Sequence, residues 1–292
     1  MKQWLVNFIN WWAMQIGLPH RGLKYFIKFL KLTGLYHHQF IGKTSFGVKF
    51  HCHLYDHIER YIYWYGWYEE KESRFLLKIL EHGMVMIDAG ANIGYYSMMV
   101  AARSVGSQVF AFEPSSANAN RLRKNIQLNN CTNVTVVTLA LGNNNAVTTL
   151  YQSAVDNSGM TSLIPPENAN GTTEPVQVIR LDDWAATNKL LTLDLIKIDI
   201  EGFELFALEG MADILTKFLP MLLIEIKKEN MVRFGRHAAD IYTFLENLGY
   251  HPFEINERPG LTKLENTEAD IDLCVFVHSS KITKMAITNQ IL

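Results

Sequence analysis

The sequence predicts an α/β protein built on a doubly wound, mostly parallel seven-stranded sheet with an antiparallel edge strand. From residue 84 onward, short apolar runs alternate with helical patterns, as in parallel strands joined by right-handed helical crossovers. The last two apolar runs are joined by a loop without a helix, so we expect them to pair antiparallel at an edge. A content of 48% hydrophobic and 19% charged residues is typical of a globular chain with a large core.

Each element of this pattern is short enough to be a strand or a helix of ordinary length. The predicted strands are 84–88, 108–113, 134–141, 195–199, 221–226, 252–256 and 271–277. The predicted helices are 93–103, 115–130, 203–217 and 238–248. Residues 47–83 predict a strand, an aromatic loop and a helix over about 69–81. The insert 142–192 has two β-like runs around a loop rich in Gly, Pro and Asn, which predicts a hairpin near the functional edge of the sheet.

The amino-terminal end differs in charge from the rest. Residues 1–55 contain seven Lys and Arg and no acid, whereas the other 237 residues carry 20 cations and 29 acids. Basic amphipathic helices with aromatic residues suit an anionic membrane surface, and packing on the chain's own domain is the alternative. The uncharged stretch 3–18 is shorter than the about 20 residues that span a bilayer. We therefore expect a cytoplasmic protein, and the alternative is a peripheral position on the inner face of the membrane.

These patterns divide the chain into four parts. The predicted parts are a basic amphipathic helical extension (1–46), a strand and helix leading into the core (47–83), the main α/β domain (84–280) and a carboxy-terminal tail (281–292).

Composition argues against several classes of protein. A net charge of −2 does not indicate a nucleic-acid binder. Cys52, Cys131 and Cys274 are odd in number and widely spaced, so no disulfide framework is expected and a reducing compartment is favoured. The alternating His51 and His53 fit the polar face of a strand, and no metal site is predicted.

The turn "MIDAGANIGYY" (86–96) follows the first strand of the main domain, where open α/β sheets bind ligands. Gly90 and Gly94 do not have the spacing of a dinucleotide fingerprint, and no phosphate-binding G-K-[ST] follows. Asp88 would repel a pyrophosphate and suits a ligand that presents ammonium or donor groups. Glu113 ends the next strand, 25 residues later, where an acid can accept both hydroxyls of a ribose. Together Asp88 and Glu113 indicate S-adenosylmethionine, and they disfavour an NAD-dependent oxidoreductase.

Several segments resemble the FkbM-type class I SAM-dependent methyltransferases, over roughly residues 60–230. They occur in the family's order: "VMIDAGANIGYYSMMVA", "VFAFEPSSANANRLRKNIQLNN", "LALGNN", "NSGMTSL", "RLDDW", "LIKIDIEGFELFALEGM" and "LLIEI". The resemblance implies a Rossmann-like methyltransferase fold that methylates a hydroxyl of a small molecule, often a sugar or polyketide.

The resemblance also implies the cofactor site. The residues implied to bind the methionine and ribose region are Asp88, Gly90, Asn92 and Gly94; those implied for the ribose and the adenine border are Glu113, Pro114, Ala140 and Leu141. No acid stands at Ala140–Leu141, so adenine recognition there would depend on backbone groups. Tyr68 and Glu69 are expected to reach the methionine amino group. Residues 1–46 lie outside the match.

Methyl transfer to an alcohol requires alignment and removal of the acceptor's proton. "KIDIEG" supplies Asp199 and Glu201 after the fourth strand, and Glu225 near the end of the fifth is expected to contact the acceptor. We expect Asp199 to be the base or acceptor binder and Lys197 to pair with an acid. Glu201 is either part of the site or a cap of helix 203–217. Two acids could share a divalent ion, although none is predicted.

The long insert is a candidate lid over the cofactor or acceptor. Asn157, Ser158 and Gly159 are its expected contact residues, with Gly159 as pivot.

The predicted function is SAM-dependent O-methylation of a small molecule, sugar or glycolipid. An RNA methyltransferase is the first alternative, but D-I-E-G stands where amino-methylating enzymes carry a [D/N]-P-P-[Y/F] motif, and Cys131 is in a turn outside the cleft. A non-catalytic, membrane-associated SAM-binding module is the second alternative, which the acids at Asp199 and Glu201 disfavour.

Overall fold

The computed structural model describes residues 28, 30–152, 161–163, 165, 172–256, 260–265 and 273–287. The chain divides into two compact units, residues 1–68 with 155–159, and residues 69–154 with 160–292. Most of the basic extension and the whole of Asn157, Ser158 and Gly159 lie outside the described residues, so the expectations for them stay predictions.

The described part of the first unit holds helical residues at 28 and 30–32, a β-hairpin and a further helix. Strands β1 (Gln39–Lys43) and β2 (Lys49–His53) pair antiparallel, and helix α1 covers His57–Tyr65. The predicted aromatic loop is therefore wrong, because this segment is helical. The Asp56 carboxylate caps the helix by accepting the Glu59 backbone N–H, and Gly66 ends it in the left-handed conformation. Strand β1 also lies within a segment for which the sequence predicted helices.

The second unit contains the main sheet and the insert. Its described strands are β3 (Val85–Ala89), β4 (Gln108–Phe112), β5 (Val134–Val137), β6 (Ala140–Leu141), β7 (Ala146–Gln152), β8 (Thr161–Ser162), β9 (Thr172–Ile179), β10 (Leu195–Ile198), β11 (Met221–Glu225), β12 (Tyr250–Ile255), β13 (Leu261–Lys263) and β14 (Leu273–His278). Its described helices are α2 (Glu70–Ile79), α3 (Tyr95–Arg103), α4 (Ser116–Asn129), α5 (Leu181–Thr187), α6 (Glu204–Glu209), α7 (Ala212–Phe218), α8 (Lys228–Arg233), α9 (Ala238–Asn247) and α10 (Ser279–Ile287).

The main sheet confirms the predicted fold class. Its order is β13-β12-β14-β11-β10-β3-β4-β5, with β11 to β5 parallel and β14, β12 and β13 antiparallel. Strands β12 and β14 pair antiparallel, as expected. The described sheet has eight strands instead of seven because the short strand β13 adds to β12 at the edge.

The third predicted strand, 134–141, is divided between two sheets. Strand β5 pairs with β4, whereas β6 pairs in parallel with β9 of the insert. The insert forms a sheet of order β6-β9-β7-β8, in which β7 and β9 make the predicted hairpin. A continuous apolar run does not indicate which strand each of its halves will pair with. The sequence pattern therefore predicted β5 and β6 as one strand.

Predicted helix 203–217 is likewise two helices, α6 and α7. Gly210 ends α6, and a Cβ there would lie 1.9 Å from the Gly142 carbonyl oxygen, so close backbone packing fixes the interruption. Helix α8 and helix α10 have no counterpart in the sequence prediction, and α10 covers part of the predicted tail.

The carboxyl ends of the central strands come together at one edge. Lys197 is in register with Asp88 across β10 and β3, and Ile198 is in register with Ile224 across β10 and β11. This places the segments after β3, β10 and β11 side by side, on top of a buried apolar core. Within the described part of the chain, no helix has the length and apolar character needed to cross a membrane.

Candidate active site

The turn after β3 is held closely against the segment after β10. Gly90 has a φ of +81°, and a Cβ on it would lie 1.9 Å from the Asp199 carbonyl oxygen. Gly94 has a φ of +87°, and its Cβ would lie 2.1 Å from the Leu122 side chain on α4. Both positions therefore require glycine for backbone conformation and for close packing of the protein on itself.

Asp88 lies beneath this turn and is 1% exposed. Its Oδ2 accepts the Ser97 backbone N–H at 3.0 Å and the Ser97 hydroxyl at 2.6 Å, so it holds the first turn of α3. Burial raises the pKa of Asp88, partly offset by the nearby Lys197 ammonium and the Ser97 hydroxyl. The structure thus gives Asp88 a partner other than the ligand ammonium expected from the sequence. Its Oδ1 is buried without a hydrogen-bond partner.

Glu113 stands at the carboxyl end of β4 and contacts the same turn. Its Oε2 accepts the Asn92 N–H at 2.7 Å, and its Oε1 accepts the Ser115 N–H at 2.9 Å. Burial raises the pKa of Glu113 to about 7, although both N–H groups act to lower it. Asn92 has a φ of +51°, and its side-chain oxygen is buried without a hydrogen-bond partner. A buried carboxyl beside an unpaired amide oxygen can accept hydroxyl or amino donors from a ligand.

The remaining residues expected to contact the cofactor lie in different parts of the structure. Pro114 separates Glu113 from Ser115, the N-cap of α4. Ala140 and Leu141 are buried and paired with β9, so an adenine contact at their backbone stays a prediction. Tyr68 is half-buried and belongs to the first unit.

Glu69 and Tyr96 form a second polar group close to Lys197. The Tyr96 hydroxyl donates to Glu69 Oε2 at 2.5 Å, and Lys197 Nζ lies 4.8 Å from the centre of the Tyr96 ring. Glu69 has a φ of +45°, a conformation that non-glycine residues rarely adopt outside functional sites or turns. The Glu69 carboxylate is also one of the charges that raise the pKa of Lys197.

Asp199 and Lys197 form the expected ion pair. Lys197 Nζ lies 2.9 Å from Asp199 Oδ2; the lysine side chain is 4% exposed and the aspartate side chain is 25% exposed. Burial alone would lower the pKa of Lys197, but the Asp199 and Asp88 carboxylates outweigh burial and raise it. Burial alone would raise the pKa of Asp199, but the Lys197 ammonium brings it below its usual range. Asp199 is therefore an ionised carboxylate with a solvent-accessible face.

Glu225 ends β11 and lies beside Asp199, because the residues before them, Ile224 and Ile198, are in register. Lys227 Nζ lies 3.2 Å from Glu225 Oε1 and 3.1 Å from Glu201 Oε1. Burial raises the pKa of Glu225, and the neighbouring Asp199 carboxyl group raises it further, against the Lys227 and Lys197 ammonium groups. The three expected acids are thus brought together at the edge of the sheet.

Glu201 belongs to this cluster and does not cap the following helix. Its Oε2 accepts the Asn230 side-chain N–H at 2.8 Å, and its backbone has a φ of +56°. Burial raises the pKa of Glu201, opposed by the Lys227 ammonium. Gly202 has a φ of +101°, and a Cβ there would lie 2.8 Å from Asn230, so the turn packs directly on α8.

The residue that stabilises the turn is Glu204, for which the sequence pattern predicted no role. Its Oε1 accepts the backbone N–H groups of Ile200 and Gly202, at 3.2 and 3.0 Å. Burial raises the pKa of Glu204 to about 7, and its Oε2 has no hydrogen-bond partner. Glu204 therefore fixes the path of the backbone that carries Asp199 and Glu201.

The sequence pattern also predicted no role for Lys227 and Asn230, although their position after a strand could have indicated one. Both occur in "KKEN" directly after the apolar run "LLIEI", where a parallel strand ends at the ligand-binding edge. Among the described residues, no three His, Cys, Asp or Glu side chains are grouped so as to hold a metal ion.

One known protein family matches a long segment of this chain. The family described as "Methyltransferase FkbM domain" matches residues 88–252, more than half of the chain. The chain belongs to the FkbM methyltransferase family. The matched range begins at Asp88 and includes Glu113, Asp199, Glu225 and Asn230.

Two curated relatives resemble this FkbM-family chain over part of their lengths. Methyltransferase 1 of Beauveria bassiana is 29% identical over 145 residues, which cover 44% of this chain and 58% of the relative. The hexuronic acid methyltransferase AglP of Haloferax volcanii is 30% identical over 165 residues, which cover 54% and 62%. The chain therefore spans less than two thirds of either relative.

Two solved structures resemble the fold. The methyltransferase FkbM from Methylobacillus flagellatus aligns with a TM-score of 0.44 at 19% identity, covering 68% of this chain and 44% of that one. A candidate methyltransferase from Streptococcus mutans, in complex with SAH, aligns with a TM-score of 0.41 at 12% identity, covering 71% and 96%.

Proposed function

We propose that this FkbM-family chain is an S-adenosylmethionine-dependent O-methyltransferase that acts on a hydroxyl of a small molecule, sugar or glycolipid. The observation that carries the proposal is that two sets of hydrogen-bond-accepting side chains lie on the same edge of the sheet. Glu113 and Asn92 lie after β4 and β3, and Asp199 lies after β10, where its carbonyl is packed against Gly90.

The residues near Glu113 fit the methyl donor. A ribose presents two neighbouring hydroxyls, and the buried Glu113 carboxyl has lone pairs free after accepting one N–H on each oxygen. The unpaired Asn92 side-chain oxygen would receive a further donor. Glu69, already joined to Tyr96, supplies a carboxylate for the methionine amino group. Asp88 acts indirectly in this proposal, because it holds the helix start through Ser97.

When bound, S-adenosylmethionine supplies a methyl group on a sulfonium, whose transfer leaves a neutral thioether. The chain's task is then to orient a hydroxyl and to take up its proton. Asp199 is the group placed to do so, because its carboxylate is ionised, partly open to solvent and fixed by Lys197. A carboxylate of low pKa suffices for this purpose, since the hydroxyl proton becomes strongly acidic as the new bond forms on oxygen. Glu201 is the second acid of the site.

The acceptor class follows from the chemistry of this edge. Carboxylate, amide and ammonium groups alternate there, at Asp199, Glu201, Asn230 and Lys227. Such a surface suits a polyhydroxylated acceptor, which can donate to the acids and accept from the cations. The Haloferax volcanii relative is named for methylation of a hexuronic acid, in agreement with a sugar as acceptor.

Two measurements test the proposal. Calorimetry with S-adenosylmethionine is expected to show binding to the wild type and to Asp199→Asn, with Glu113→Ala binding more than about tenfold more weakly because charged hydrogen bonds are lost. Mass spectrometry after incubation with S-adenosylmethionine and fractionated sugars and glycolipids should detect a product heavier by one CH₂ unit with the wild type, and none with Asp199→Asn. Absence of binding by the wild type would reject the cofactor. Binding without transfer to any fraction would favour the non-catalytic module, and full turnover by Asp199→Asn would remove Asp199 from the mechanism.

A further inference from the structure

Asp199 and Glu225 project from the ends of two adjacent parallel strands. The register of β10 and β11 pairs Ile198 with Ile224, so the next residue of each strand stands beside the other. Two ionised carboxylates are both acceptors only, so one of this pair can donate a hydrogen bond to the other only when it carries a proton. The surrounding charges decide which of the two acids holds a proton more readily.

The two lysines are divided unequally between the acids. Lys197, nearly buried, is 2.9 Å from Asp199 alone, whereas Lys227 is shared between Glu225 and Glu201 and is 38% exposed. The ionised form is therefore stabilised more at Asp199, and the pKa of Asp199 is lowered while that of Glu225 is raised.

The charge count points the same way. Even with Glu225 neutral, the two ammonium groups of Lys197 and Lys227 face the carboxylates of Asp199 and Glu201, and Asp88 and Glu69 add further negative charge near Lys197. With Glu225 ionised, the edge would hold a third carboxylate next to the first two, largely out of solvent, at a cost in like-charge repulsion and desolvation. The charged groups that face Glu225 are Asp199 and Lys197 from β10, and Lys227 from its own segment.

We propose that Glu225 is held as a neutral carboxylic acid that donates its proton to Asp199, so that the two side chains act as one unit in receiving the acceptor hydroxyl. Glu225 is a positioning residue: its hydrogen bond fixes the rotamer of Asp199 and leaves the open face of that carboxylate for the acceptor. During transfer the O–H bond of the acceptor breaks, its proton moves to Asp199, and Glu225 keeps its own proton. The pair then returns one proton to solvent. The role of the pair in receiving the acceptor rests on the proposed function. The protonation of Glu225 does not depend on that function.

The protonation is tested first, on the ligand-free full chain. Infrared spectroscopy at about pH 8, with isotope-labelled glutamate, should show the C=O stretch of a protonated carboxyl. Glu225→Gln should abolish this band, and Asp199→Asn should abolish or shift it because the partner carboxylate is lost. Glu204→Gln is the matched control and should retain it. A wild type without the band, or a band unchanged in Glu225→Gln, would overturn the proposal.

The functional consequence is tested next. Glu225→Gln keeps a neutral donor, so its kcat should exceed that of Glu225→Ala by at least about tenfold, the worth of one hydrogen bond. The affinity for S-adenosylmethionine should be equal in the two variants. Wild-type kcat should fall at alkaline pH as Glu225 ionises, and Glu225→Gln should lack this decline.

Equal kcat for the two variants, or the same alkaline decline in Glu225→Gln, would contradict the positioning role. Failure of the two proposals can be distinguished, because the infrared band requires neither cofactor nor acceptor. A band without any methyl transfer would reject only the proposed function, and methyl transfer without the band would reject only the role of Glu225.

Discussion

The affinity for S-adenosylmethionine should depend on pH through a single buried acid, Glu113. In the ligand-free protein its carboxyl has a pKa of about 7, raised by burial from an ordinary value of 4.5. Two ribose hydroxyls that donate to it would stabilise the ionised form and return the pKa toward the ordinary value. Binding would therefore release a proton wherever the free protein is still protonated.

The magnitude follows from the fraction of ionised Glu113. At about pH 6 roughly one molecule in eleven is ready to accept both hydroxyls, and at about pH 8 roughly ten in eleven are. The dissociation constant should therefore fall about tenfold between these values, a gain of about 1.4 kcal/mol in binding free energy. At the lower pH nearly one proton should be released per ligand bound.

Isothermal titration calorimetry measures both quantities, since buffers of different ionisation enthalpy reveal the protons released. Glu113→Gln is the control: it keeps an acceptor oxygen but cannot titrate, so its weaker binding should lack this pH dependence. Because Asp88 is unchanged in both proteins, the difference between them isolates Glu113. Equal pH dependence in the wild type and in Glu113→Gln would refute the reasoning.

Three further expectations concern stability and the amino-terminal segment. Gly90→Ala should lower the melting temperature more than Gly83→Ala, since both have positive φ but only Gly90 lacks space for a Cβ; equal thermal shifts would show that the Asp199 contact is not limiting. Glu204 has a pKa of about 7 when folded against 4.5 ordinarily, so the folded state holds its proton longer and the free energy of unfolding should fall by up to about 3 kcal/mol as pH rises through this window. Glu204→Gln should reduce that slope in denaturant titrations, and an unchanged slope would contradict the assignment. Residues 1–46 should bind anionic vesicles in a salt-sensitive way, and equal sedimentation of the full chain and a chain lacking them would reject this.

The elements that sequence patterns predicted well are those whose signals are local. Strands β3 and β10 are short apolar runs, and the acids Asp88, Glu113 and Asp199 follow or end such runs, so their common edge could be inferred. The division of the run 134–141 into β5 and β6 could not be inferred, because both halves are apolar and their partner strands lie far along the chain.

The direction in which each side chain points was harder to predict. Asp88 turns toward Ser97 because α3 starts above it, and the sequence does not indicate where that helix lies relative to the strand. Glu201 and Glu204 are both plausible caps, yet only Glu204 reaches back to the backbone, while Glu201 contacts Lys227 and Asn230. The orientation of Glu201 depends on α8 and the residue before it, which the sequence pattern did not reveal.

The absence of a side chain at Gly90 has a consequence for the proposed function. Because the Gly90 backbone rests on the Asp199 carbonyl, the spacing between the proposed cofactor turn and the proposed proton-accepting segment is set by main chain and not by adjustable rotamers. Adaptation to another hydroxyl would then fall to the insert 142–192 and to the residues around α8, while the core geometry of transfer stays constant.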